Sequence, residues 1–112
     1  MKIEGEGQLL RVFIDENDQW EGKPLFQEIV KKARNEGLAG ATVLKGVMSY
    51  GANSLIHAVN KQGIADDVPV VVEIVDGTEK IKKFIPILDK MVKEGLITLE
   101  KVNVIAYRTS RV

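Results

Sequence analysis

There is no cysteine in the 112-residue chain. That excludes a disulfide framework and any thiolate metal site. The single histidine, His57, has no second imidazole with which to share a metal, so no metal site is expected. No apolar run approaches the roughly 20 residues that cross a bilayer, and membrane insertion is not expected. Charge of neither sign predominates: 16 Lys and Arg balance 16 Asp and Glu. A broad nucleic-acid footprint would need a basic face. Met1 to Gly7 carries Glu4 and Glu6 where a secretory signal would have a basic stretch and then an apolar one, so a cytoplasmic location is the expectation.

The length suits one domain with its own core, spanning residues 1–112. Hydrophobic residues at 45% and charged residues at 29% are ordinary for a globular protein. Gln8 to Ile14 alternates as a strand, with Leu10, Val12 and Ile14 on one face and Leu9, Arg11 and Phe13 on the other. Pro24 suits a first helical turn, where its missing N–H costs nothing. Leu25, Phe26, Ile29, Val30 and Ala33 then recur at three- and four-residue spacing, which predicts a helix over 24–36 closed by Gly37.

Ala41 to Met48 reads as the second strand. Val68 to Val75 reads as the third, with Pro69 at its start, where a missing donor is tolerated. Asp76 followed by Glu79 resembles a capping box. Ile81, Phe84, Ile85, Leu88, Met91 and Val92 mark a second helix, interrupted by Pro86 and closed by Gly95. Thr98 to Tyr107 is the last strand. The order βαββαβ predicts an α+β ferredoxin-like sandwich: a four-stranded antiparallel sheet, order 4-1-3-2, with both helices on one face.

The uncovered face of such a sheet should be polar in a monomer. Here it carries Leu9, Phe13, Val71 and Val75. Ile105 and Tyr107 join them if Val102, Val104 and Ala106 face the helices. A face this apolar marks an interface. Arg11 and Glu73 share it on neighbouring strands. They either pair across the strands or extend separately into solvent.

Tyr50 to Asp67 spans far more than the two to five residues of a hairpin. Ser54 could cap a short helix through Leu55, Ile56, His57, Ala58 and Val59, and a long excursion of this kind is available to a ligand or partner. His57 within it could be an acid–base group, a pH-sensitive contact, a hydrogen-bonding residue at a subunit boundary, or a plain solvent-facing side chain. Trp20 could stack on a ligand or pin its own loop.

The run Gly22-Lys23-Pro24-Leu25, the block from Gly37 to Gly51, His57, and the stretch from Asp67 to Asp76 together resemble an uncharacterised family of PII-like proteins related to the nitrogen regulatory PII signal transducers. The resemblance covers almost the whole chain. It implies a ferredoxin-like fold, a homotrimer, adenine nucleotides in clefts between subunits, and a regulatory loop at about 50–67 that docks onto a protein target.

For a nucleotide, the start of the second helix at Gly77 and Thr78 could hold a phosphate. Gly46 and Gly51 would allow close backbone approach, and Lys45, Arg108 and Arg111 could supply charge. Tyr50 and His57 border the same region. No Walker motif is present, because Ala52 and Asn53 follow Gly51 where Lys and Ser or Thr would be needed.

The expected function is therefore a non-enzymatic sensor that requires no cofactor and takes ATP or ADP as effector. No catalytic residue is singled out. Alternatives are a small hydrolase of acylphosphatase-like topology and a structural trimer without ligand. In the hydrolase reading, Asp15, Glu16 and Asp18 would repel a phosphate. An RNA-binding module is a further class, but only Phe13 supplies the stacking aromatics it needs.

Overall fold

A computed structural model describes residues 4–51, 56–58 and 68–110 of the chain. Strand β1, Gly5–Asp15, follows the alternation of its sequence: Leu10, Val12 and Ile14 are buried. An acid-rich turn ends it. The Asn17 N–H donates to Asp15 Oδ1 (2.8 Å), and the Asp15 N–H donates to Asp18 Oδ2 (3.0 Å). A small hairpin follows, β2 (Gln19–Trp20) against β3 (Lys23–Pro24). Its two-residue turn has positive φ at both Glu21 (52°) and Gly22 (78°), the turn whose twist matches that of the flanking strands.

Helix α1, Leu25–Asn35, has Pro24 as its N-cap and buries Leu25, Ile29 and Ala33. It closes at Gly37, φ 78°. The Gly37 N–H donates to Arg34 O (3.1 Å) and the Leu38 N–H to Ala33 O (3.0 Å), while Leu38 and Ala33 bury together. This is a Schellman closure with its apolar contact, and the left-handed residue in it is glycine for steric reasons.

The expected second strand is divided. β4 runs Ala41–Lys45 in the main sheet. After Gly46 and Val47 the chain re-enters as β5, Met48–Tyr50, which pairs with β6, Ile56–Ala58. The short helix expected through Leu55 to Val59 is not formed over its described part, because Ile56–Ala58 is strand. A helix of about five residues is marginal by itself, and pairing with β5 gives this backbone hydrogen-bond partners instead. Residues 52–55 and 59–67 of the excursion lie outside the described residues.

β7, Pro69–Asp76, alternates buried and half-buried positions along its length. α2, Thr78–Met91, buries Ile81, Phe84, Leu88 and Met91 and continues through Pro86. The expected capping box is absent: Gly77 is the N-cap and no side chain caps the helix. Gly95 does not close this helix, which ends at Met91. Gly95 instead turns the chain against β1 at φ 142°, where a Cβ would lie 2.6 Å from Phe13 O. β8, Leu96–Val104, completes the fold.

The main sheet has the order β4-β7-β1-β8, every pair antiparallel. Counting only these four long strands along the chain, the order is the expected 4-1-3-2; the two short pairs, β2-β3 and β5-β6, are additions. The core lies between one sheet face and the two helices, built from Leu10, Val12, Val72 and Ile74 against Ile29 and Phe84.

Register decides which side chains the helices cover. Val12 stands opposite Ile97 and Leu10 opposite Leu99, whereas Leu9 stands opposite Glu100 and Gly7 opposite Val102. The uncovered face of β8 is thus Leu96, Thr98, Glu100, Val102 and Val104. The conditional assignment of Val102 and Val104 to the helix side is reversed. Pairing to β1 sets the parity of an edge strand, and β8's own apolar residues occur on both parities.

Candidate functional site

The uncovered face is the first candidate surface. Its centre is a charged cluster. Arg11 Nε donates to Glu73 Oε2 at 2.8 Å, and Arg11 Nη1 donates to Glu100 Oε1 at 2.6 Å. The register explains both contacts: Arg11 is directly opposite Glu73, and Glu100 is the diagonal neighbour on β8. The hydrogen bond to Glu73 is the chief cause that raises the guanidinium pKa above its ordinary value, with the charge of Glu100 adding to it. Two carboxylates against one guanidinium leave the cluster one negative charge in excess.

Around it lie Leu9, Val71 and Val75, half-buried, and the more exposed Phe13 (37%), Leu44 (49%) and Leu96 (56%). Among the described residues nothing covers these side chains. Of the two readings open for Arg11 and Glu73, the cross-strand pair is the one formed. Glu100 carries no local signal of this role, because its face is set by the register of β8 on β1, with Leu9 opposite it.

A second cluster gathers at the end of the sheet where β7 finishes and β4 begins. Asp76 is 1% exposed, the one buried charged residue described. Its Oδ1 accepts from the Gly77 N–H (2.6 Å) and its Oδ2 from the Ala39 N–H (2.9 Å). The Tyr107 hydroxyl donates to Ala39 O (2.6 Å), and Lys80 Nζ donates to Gly37 O (2.8 Å). Asp76 is therefore an anchor for two backbone N–H groups, one of them on the distant α1–β4 connection. Sequence showed its neighbour Glu79 at capping-box spacing but not Ala39.

The expected ligand residues divide between the two ends of the sheet. Lys45 and Gly46 finish β4, with Tyr50 in β5 and Gly51 just after it. Lys45 Nζ pairs with Glu16 Oε1 at 2.9 Å. The Gly46 N–H donates to Pro69 O at 2.8 Å, and a Cβ on Gly46 would meet Pro69 Cγ at 2.9 Å. The close approach that needs this glycine is thus made by Pro69. Tyr50 is 73% exposed. The backbone of His57 is opposite Ser49 in the short hairpin.

Gly77, Thr78 and the exposed Arg108 belong to the opposite end, near Asp76 and Tyr107. Ala41 pairs with Ile74 and Lys45 with Val70, so the two groups are separated by about 13 Å of strand. One copy of the chain does not bring them together. Arg111 lies outside the described residues.

Two concavities lie elsewhere, in the helical layer. One, about 180 Å³, is lined by Asp18, Gln19, Leu25, Met91, Lys93 and Glu94. The other, about 270 Å³, is walled by Trp20 with Lys32, Glu36, Pro86, Ile87 and Lys90. Both are smaller than the roughly 300–1,000 Å³ of a usual ligand pocket. Trp20 packs against the core, so it pins its own hairpin. Among the described residues no three His, Asp or Glu gather to hold a metal, and no helix is long and apolar enough to cross a membrane.

The sheet order, the two helices on one face and the excursion after the second long strand define an α+β fold of the PII-like, ferredoxin-like class. The structure is similar to CPII, a nitrogen regulatory PII-like protein from Thiomonas intermedia K12 bound to ADP, AMP and bicarbonate. The TM-score is 0.61 at 12% identity, over 88% of each chain. It is also similar to the divalent ion tolerance protein CutA1 from Ehrlichia chaffeensis, with TM-score 0.57 at 10% identity, over 93% of this chain and 86% of that one. At these identities the likeness is one of fold.

Sequence carries the relationship further. The family model DUF190 (Uncharacterized ACR) matches residues 7–104. A UPF0166 protein of Aquifex aeolicus is 42% identical over 97 residues, 87% of this chain and 91% of the relative. A UPF0166 protein of Methanocaldococcus jannaschii is 31% identical over 100 residues, 88% and 92% of the two. The chain belongs to the DUF190 (UPF0166) family.

Proposed function

We propose that the chain is a non-enzymatic, PII-like sensor subunit that assembles as a homotrimer through its uncovered sheet face. An adenine nucleotide, ATP or ADP, enters at a boundary between copies, and the 50–67 excursion is offered to a protein target. The observation that carries this reading is the uncovered face. Its apolar side chains surround an ion cluster, and a sheet surface of this kind is stable in water when another surface shields it. The division of Lys45, Gly46, Tyr50 and Gly51 from Gly77, Thr78 and Arg108 gives separate support: a ligand that uses both groups needs two copies. CPII, which shares the fold, is bound to ADP and AMP.

Sedimentation equilibrium with calorimetric titration of ADP and ATP tests the proposal. A particle of three chains that takes up nucleotide supports it. A 12.4 kDa particle at micromolar concentration overturns the assembly. Absence of heat and of thermal shift at millimolar nucleotide overturns the effector. The second reading, a structural trimer without ligand, draws on one observation: the Gly77 N–H at the head of α2 is already committed to Asp76 and is not free for a phosphate.

A further inference from the structure

The β2–β3 hairpin lies against α1, and where Trp20 approaches both helices it leaves a concavity of about 270 Å³. The apolar wall is Trp20 of β2 with Ile87 and Met91 of α2. The polar rim is Lys32 of α1, Glu36 at the C-cap of that helix, and Lys90 of α2. Trp20 is half-buried and packs against the core, so the surface it offers is fixed. Met91 is 3% exposed and belongs to the core behind it.

The rim charges are uncommitted. Among the described residues Lys32, Glu36 and Lys90 form no ion pair. Each lysine stands in the last turn of its helix, where a positive charge suits the helix dipole. That accounts for either lysine singly, but not for two of them beside a tryptophan at one hollow. Two ammonium groups and one carboxylate leave the rim with one positive charge in excess, and its complement is a single negative charge. Glu36 sets the limit, because it would repel a dianion. Size narrows the ligand further. At about 30 Å³ per water in the liquid, the hollow has the bulk of about nine waters. That is small for a nucleotide and suits one ring with a short acidic arm.

We propose that this concavity binds a small aromatic monocarboxylate. The ring lies on Trp20, Ile87 and Met91, and the carboxylate accepts from Lys32 and Lys90. The site is in the helical layer, across the sheet from the uncovered face. Assembly through that face leaves it open, and binding here is independent of any nucleotide.

Trp20 is the only tryptophan of the chain, so its fluorescence reads occupancy directly. The full chain is titrated with phenylacetate and, in parallel, with phenylacetamide, which keeps the ring and loses the charge. The expected result is a saturable change with phenylacetate, at a midpoint about fourfold or more below that of the amide. Lys90→Gln should raise the phenylacetate midpoint by about two- to fivefold, the worth of one partly exposed ion pair, and Glu36→Gln should lower it by a similar factor. Both residues are exposed, so the variants fold. A signal that stays linear in phenylacetate, as collisional quenching does, overturns the site. So does an amide midpoint equal to that of the acid, or a pair of variants whose midpoints fail to move in opposite directions.

Discussion

Phe13→Ala tests the assembly with a magnitude that follows from the structure. Phe13 lies on the uncovered face and retains 37% of its surface, about 75 Å² of a side chain that can bury about 200 Å². The part beyond Cβ, about 60 Å², is worth about 1.5 kcal/mol per copy when covered, at about 25 cal/mol per Å². For three copies the loss is about 4.5 kcal/mol, a factor of roughly 10³ in the assembly constant. The midpoint concentration of a monomer–trimer equilibrium varies as the square root of that constant, so it should rise about thirtyfold. Sedimentation equilibrium over a dilution series measures this directly. Midpoints for wild type and variant that agree within about threefold would refute the reasoning, because Phe13 would then remain in solvent before and after association.

Asp76→Asn should lower stability by about 2–4 kcal/mol in urea unfolding, since a carboxamide presents one acceptor where two N–H groups converge, and an orphaned buried donor is costly. Gly95→Ala should cost at least about 2 kcal/mol by the same assay, from a positive φ and a Cβ placed 2.6 Å from Phe13 O. Glu21→Gly, at φ 52°, should stabilise by about 0.5–1 kcal/mol, since glycine enters the left-handed region freely. Arg11 has its pKa raised, so its contribution is fully present below the unfolded value and is lost only as pH rises beyond it; wild type should show no stability step from this residue between pH 5 and 9. In Arg11→Met the two glutamates are left without their shared cation, and the deficit against wild type should shrink as added salt screens the charges, which thermal melts across ionic strength will reveal.

The parts of the fold legible in sequence were those set by local periodicity. Leu10, Val12 and Ile14 alternate, and Ile81, Phe84 and Leu88 recur at helical spacing, so β1 and α2 follow from the chain itself. Arg11 and Glu73 could be set beside each other because the strand order follows from the βαββαβ pattern. Glu100 was hidden. Its parity depends on the Val12–Ile97 register, and the neighbouring valines gave the opposite impression. The role of Asp76 was hidden for a related reason: its partner Ala39 is remote in sequence, whereas Glu79 lies at capping-box spacing. Over Ile56–Ala58 the residue types suggested a helix, and pairing with β5 overrode them. The division of the ligand residues between two ends of the sheet depends on strand direction, which no local motif carries.

The position of β1 bears on how the chain is made. Its ladder neighbours are β7 and β8, which begin at Pro69 and Leu96. At about 5–20 residues per second, the roughly 54 residues that separate the end of β1 from β7 take about 3–11 s to synthesise. Through that interval Leu10, Val12 and Ile14 have no sheet to join, and α1 is the nearest apolar surface that can cover them. The nascent N-terminal third should therefore shelter as a strand–helix pair, and the weaker the α1 stripe of Leu25, Ile29 and Ala33, the longer a chaperone would remain attached.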